Sequence, residues 1–150
     1  MGVAENKALI RRLNAEVING GRTDILDEFY APDLVHKRRG LEYIASSYKG
    51  HEGFSGGLHH LRDAFLNYHS QIEDQVGEGD TVITRYTISG THKGELFGIP
   101  PTGKTISMVQ IVYFRFNAEG KIGEIWAIND ELGFLLQSGL VDMQQVREKK

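Results

Sequence analysis

The sequence has no cysteine, only three prolines, and no apolar run long enough to span a membrane. Without cysteine there is no disulfide framework, no thiolate nucleophile and no Cys-ligated metal, and the chain fits a reducing cytoplasm. Basic charge is not in excess either. Seventeen Lys and Arg stand against twenty Asp and Glu, for a net charge of −3, so the electrostatic footprint of a nucleic-acid binder is missing. Lys37-Arg38-Arg39 is the one basic cluster, and it reads as a solvated loop. The opening residues, MGVAENKALIRR, carry acids early and lack an apolar core, which argues against a signal peptide or membrane anchor. Asn6 stands where a myristoylation motif needs Ser or Thr. No serine nucleophile elbow and no G-x-G-x-x-G fingerprint occur.

Two motifs that are present fail on mechanism. Gly98 to Thr105 matches the phosphate-loop pattern G-x-x-x-x-G-K-[ST]. Pro100 and Pro101 have no N–H to cradle a phosphate, and the β-rich run after Thr105 replaces the helix that such a loop requires. The six histidines contain no i, i+4 pair. The adjacent His59 and His60 point about 100° apart on a helix and flank its apolar stripe, so no metal is expected. What remains is proton transfer by Asp and His without a cofactor.

At 150 residues the chain fits one domain over 1–150, long enough to bury about 70% of its unfolded surface. Ile10, Leu13 and Val17 recur at helical spacing, and Gly20-Gly21 ends that helix. Thr23 is an N-cap candidate for a second helix whose apolar face holds Leu26, Phe29 and Tyr30, ending at Pro32. Leu34-Val35-His36 reads as a short strand, and Leu41 to Gly50 has no clear period. Phe54, Leu58, Leu61 and Phe65 mark a third helix. Its Gly56-Gly57 pair costs helix propensity, which points to close approach of a backbone or ligand.

From Tyr68 the period becomes that of strands: His69 to Val76, a turn at Gly77 to Asp80, Thr81 to Thr91, a loop from His92 to Lys104, Thr105 to Phe116, and a last strand after Asn117 to Gly120. The expected class is α+β, helices first and an antiparallel meander afterwards. Between Ile106 and Phe116 both strand faces are apolar. One face should therefore pack on the helices or a cavity while the other meets a second subunit. The last strand, within KIGEIWAINDELGFLL (121–136), puts Trp126, Ile128 and Asp130 on one side and Ile125, Ala127 and Asn129 on the other. Asp130 has two readings: a carboxylate in an apolar cavity wall, where desolvation makes it a proton carrier, or the N-cap of Glu131 to Gln137, a role open to Asn129 as well. His36 is a candidate hydrogen-bond donor to a cavity.

The succession Gly50-His-Glu-Gly-Phe54, Glu73 to Asp80, Arg85-Tyr-Thr-Ile-Ser-Gly-Thr-His92-Lys-Gly, Gly98-Ile-Pro-Pro-Thr-Gly103-Lys and Trp126…Asp130-Glu-Leu-Gly-Phe-Leu-Leu-Gln137 resembles the SnoaL-like polyketide cyclase family over nearly the whole chain. The resemblance implies an NTF2-like cone, N-terminal helices packed in a curved antiparallel sheet around a deep pocket, assembled as a homodimer or homotetramer. It implies cofactor-free acid–base chemistry, an intramolecular aldol ring closure or related isomerisation of a hydrophobic carbonyl substrate. Asp130 matches the family's catalytic aspartate and His36 its pocket histidine. Gln110, Trp126, Tyr30, Phe54, Arg85 and His92 are the expected substrate contacts, with His36 or Gln110 placing the substrate oxygen. Phe134 replaces the usual leucine, and Ala127-Ile-Asn129 lacks extra polar groups to hold an enolate. The same fold also hosts binding modules and epoxide hydrolases. A hydrolase would need Arg85 or Tyr86 to hold its water.

Overall fold

A computed structural model describes residues 2–38, 50–96 and 98–148. Arg39 of the basic cluster and most of Leu41 to Gly50 lie outside the described residues. Helix α1 spans Val3–Leu13 and continues as a π-helical turn over Asn14–Ile18. Ile10, Leu13 and Val17 are buried along one stripe, as their spacing dictates. Fully burying an apolar side chain of this size is worth about 1.5–3 kcal/mol. Gly21 closes the segment at φ +73°, a backbone that side-chain-bearing residues rarely adopt, and its N–H reaches the Val17 carbonyl at 2.8 Å.

The second predicted helix shrinks to a 3₁₀ segment, Thr23–Glu28, and Tyr30 leaves it to open strand β1, Tyr30–Arg38. Pro32 therefore sits inside a strand instead of ending a helix. That is possible because β1 is an edge strand whose register shifts between Tyr30 and Val35, so the missing N–H breaks no ladder bond. Helix α2, Gly50–Ala64, keeps its glycines, and Phe65 starts strand β2, Phe65–Glu78, in place of finishing the helix. Strands β3 (Thr81–His92), β4 (Thr105–Phe116) and β5 (Ile122–Asn129) follow, then helices α3 (Glu131–Ser138) and α4 (Met143–Glu148).

The sheet order is β1-β5-β4-β3-β2. Four strands form the expected antiparallel meander, whereas β1 joins β5 in parallel, Tyr30 opposite Ile122 and His36 opposite Ile125. The sheet is thus mixed at one edge. Register shifts in β2, between Leu66 and His69 and between Ile72 and Asp74, bend that long strand, and Asn67 at the first takes φ 56°. The concave face closes over α1 and α2. Asn14 and Asn19 clamp the backbone of Ser70, with Asn14 Nδ2 and Asn19 Nδ2 donating to its carbonyl at 3.0 and 2.8 Å and its N–H donating to Asn19 Oδ1 at 2.8 Å. Arg62 Nη1 donates to the Ile18 and Asn19 carbonyls, tying the end of α2 to the same corner. The phosphate-loop pattern falls in a loop before strand β4, where no helix follows.

Candidate active site

A cavity of about 140 Å³ lies between α2 and the concave face of the sheet. From α2 it takes Gly53, Phe54, Gly57, Leu58 and Leu61, residues recurring at i, i+4 and i+8 from Gly53 and at i and i+4 from Phe54. The absent side chains of Gly53 and Gly57 leave room there, the ligand-side reading of a glycine-bearing helix. A smaller chamber of about 50 Å³ shares Leu61, Tyr68 and Gln110 with the first, so the two adjoin along these residues.

The sheet presents its polar groups by register. On β1, Val35 and Lys37 face outward beside Glu124 and Trp126, which leaves His36, opposite Ile125, facing in. Its ring lies 6.1 Å from Phe54, whose other edge meets Tyr30 at 5.0 Å in a T-shaped pair. His36 is solvent-exposed at the rim, while Tyr30 is 2% exposed at the depth. Across the sheet, Asn129 of β5 pairs with Gln110 of β4, and Gln110 pairs with Tyr86 of β3. Tyr68 and Ser70 of β2 add to the polar lining of the larger chamber, and Ser89 of β3 to that of the smaller.

Among the described residues that line either chamber there is no Asp, Glu, Lys or Arg. Burial, and then the neighbouring Tyr86, push the Tyr30 hydroxyl well above the usual phenol range. Burial raises Tyr86 too, with a smaller opposing effect from its Thr84 hydrogen bond and a further push from Tyr68. Both hydroxyls stay protonated and able to donate at any physiological pH. Among the described lining residues, histidine is the one type that exchanges protons near neutrality.

The structure brings together His36, Tyr30, Phe54 and Gln110 of the candidates named from sequence, and separates the others from them. The cavity face of β5 is Ile125, Ala127 and Asn129, not the face of Trp126, Ile128 and Asp130. Trp126 points outward, its Nε1 donating to Glu124 Oε1 at 2.6 Å with Lys37 Nζ 4.5 Å above the ring. Asp130 is exposed and caps α3, its Oδ1 accepting from the Gly133 N–H at 2.9 Å. Arg85 is exposed on the convex face, because Tyr86 takes the inward position. His92 is 0% exposed but lines neither chamber. It stacks on Phe65 at 5.3 Å and its Nδ1 meets Thr102 Oγ1 at 3.1 Å, so it holds the 92–104 loop one layer behind the wall. Tyr68, Ser70 and Asn129 were not read from the sequence as pocket residues. Asn129 could have been found from its shared face with Ile125 and Ala127. Ser70 gave no signal, since its place depends on the Asn14 and Asn19 clamp.

A curled sheet wrapped on helices around a mostly apolar, hydroxyl-bearing cavity defines a class of small-molecule site, the NTF2-like cone. Within it the chain belongs to the SnoaL-like polyketide cyclase family, whose pattern matches residues 8–138. It is similar to aklanonic acid methyl ester cyclase AcmA of Streptomyces galilaeus, 31% identical over 80% of this chain and 81% of the relative. It is also similar to nogalonic acid methyl ester cyclase of Streptomyces nogalater, 30% identical over 81% of this chain and 88% of the relative. Among solved structures, TsrD from Streptomyces laurentii superposes with a TM-score of 0.80 at 26% identity, over 94% of this chain and 99% of its own.

Proposed function

We infer that the protein is a cofactor-independent cyclase that closes a ring by intramolecular aldol addition in a hydrophobic, enolisable carbonyl compound. Relatives named as methyl ester cyclases support the reaction type. The observation that carries the reading is the inward-facing His36 at the rim of an apolar cavity whose other polar groups are neutral donors. His36 takes the proton from the carbon flanked by carbonyls, and the electron pair left on that carbon forms the new C–C bond to the acceptor carbonyl carbon. The acceptor oxygen then recovers a proton and ends as a hydroxyl, so substrate and product are isomers. Gln110 and the buried phenols hold the oxygens on which charge develops. Asp130, the acid–base residue suggested by the resemblance, keeps a capping role in this reading.

The working form is taken to be a cytoplasmic homodimer. Its support is the convex sheet face, where Val109, Ile111 and Ile128 are exposed together. No helix among the described residues is long and apolar enough to cross a membrane.

The test is incubation with aklanonic acid methyl ester or nogalonic acid methyl ester in D₂O, followed by chromatography and mass spectrometry. An isomeric product, formed at least a hundredfold more slowly by His36→Ala, is the expected result. Absence of the isomeric product above an enzyme-free control would overturn the catalytic reading. A second reading, a non-catalytic binder of the same ligands, is favoured by one observation: the lack of a carboxylate among the described cavity residues.

A further inference from the structure

His51 stands in the first turn of α2, and among the described residues both polar partners of its ring are acceptors. Its Nε2 meets the Ala31 carbonyl oxygen of β1 at 2.8 Å, and its Nδ1 meets Asp27 Oδ1 of the 3₁₀ segment at 3.0 Å. A backbone carbonyl and an ionised carboxylate only accept, so both contacts are hydrogen bonds only when each ring nitrogen carries a proton, the imidazolium form. Neutral imidazole has a single N–H. It keeps one bond and turns a lone pair toward the other oxygen. The Ala31 carbonyl is fixed in a strand, whereas the Asp27 side chain is 94% exposed and able to turn into water, so the Asp27 bond is the one released. We propose that His51 is a pH-operated clasp on the cavity wall: protonated, it holds the first turn of α2 against both the 3₁₀ segment and β1, and neutral, it lets go of Asp27.

The clasp acts where two walls of the larger chamber meet. The His51 ring stands 6.0 Å from Tyr30 in an edge arrangement, Tyr30 meets Phe54 at 5.0 Å, and Phe54 stands 6.1 Å from His36. Tyr30 and His36 belong to β1 and Phe54 to the same end of α2 as His51, and all three line the chamber. Holding His51 therefore fixes the Phe54 wall against the β1 wall, and release loosens the first turns of α2 at the rim. The charged groups around His51 do not substitute for its partners. Asp24 and Glu52 share an open groove with His51 and Asp27, and no Lys or Arg is among the described residues that line it. Arg22 Nη2 takes Asp24 at 3.1 Å, and Arg12 Nη2 takes Glu28 at 2.6 Å. Lys121 Nζ donates to the backbone carbonyls of Asp27 and Glu28, at 2.8 and 3.1 Å, which leaves the Asp27 carboxylate to His51. Tyr30 keeps its proton and adds no charge. Because the charged ring has the extra bond, the clasp is complete at the acid end of the histidine range, about pH 5 to 8, and is lost as pH rises through it.

The experiment follows amide hydrogen exchange at Gly53 to Gly57 in the full chain by NMR from about pH 5 to 8, with each rate corrected for the intrinsic effect of pH. Wild-type protein is expected to lose about threefold in protection at these amides across the range. The step is small because the Asp27 side chain is exposed to water and the helix dipole opposes a cation in a first turn. Asp27→Asn is the decisive variant. Its amide N–H can donate to the Nδ1 of a neutral ring while Nε2–H still donates to Ala31, so the clasp should stay closed and the pH step should vanish. His51→Phe keeps a ring beside Tyr30 but never charges, and should show the wild-type level of about pH 8 at every pH. A wild-type protein without the step would overturn the clasp. So would the same step in Asp27→Asn or in His51→Phe, which would assign it to another group. The readout needs no turnover, so it stands or falls apart from the cyclase reading.

Discussion

The carboxylate of Asp130 accepts a hydrogen bond from the Gly133 N–H at 2.9 Å, the geometry of a helix N-cap, with the side chain exposed at the end of β5. Asparagine caps about as well as aspartate, so Asp130→Asn should leave the unfolding midpoint nearly unchanged. Asp130→Ala should cost about 1 kcal/mol by denaturant titration. Under the reading in which His36 carries the proton, turnover in Asp130→Asn stays within a few-fold of wild type. A collapse of turnover with unchanged stability would return the catalytic role to Asp130.

Two buried phenols make stability depend on pH at the alkaline end. Tyr30 and Tyr86 hold their protons more tightly in the fold than at their ordinary value of 10.0. The sign follows from linkage. Below that value both states are protonated and the full contribution is present; above it the unfolded chain loses the protons while the folded chain keeps them, so stability falls as pH rises. Urea midpoints measured from pH 8 to 11.5 should decline more steeply in the wild type than in Tyr30→Phe or Tyr86→Phe. Parallel declines in all three would show that other groups set the alkaline limit.

Gly57 trades helix stability for space. It lines the larger cavity one turn from Gly53 within α2. Gly57→Ala should gain up to about 1 kcal/mol of helix propensity and raise the melting temperature by a few degrees. The added methyl enters the ligand space, so affinity for ring compounds should fall at the same time. Higher melting temperature with undiminished binding would place the ligand away from α2.

Ile111 and Ile128 are register partners on the convex face, 44% and 61% exposed. If this face joins two subunits, Ile128→Lys inserts a charge opposite Ile111 at the centre of the contact. Light scattering at micromolar concentration should then read a dimer for the wild type and a monomer for the variant, with the cavity fold retained. A wild-type monomer would leave the exposed patch without the partner assigned to it.

Much of the architecture was settled by local rules. The stripe of Ile10, Leu13 and Val17, the stop at Gly21, the turn at Gly79-Asp80 and the strand-period segments from Thr81 onward all rest on near-neighbour chemistry, and the folded chain follows them. The N-cap reading of Asp130 was equally local. Which face of a strand looks inward was not, because alternation defines two faces without saying which one is concave. On β4 and β5 both faces carry large apolar groups, Val112 and Phe114 against Val109 and Ile111, Ile125 against Trp126 and Ile128, so hydrophobicity could not break the tie. Packing against α1 and α2 broke it, and that moved Asp130 and Trp126 outside while turning Asn129 inward. Tyr30 shows the same limit from another direction. Its helical spacing with Leu26 was overridden by a parallel pairing with Ile122, ninety-two positions along the chain, a contact no local window contains.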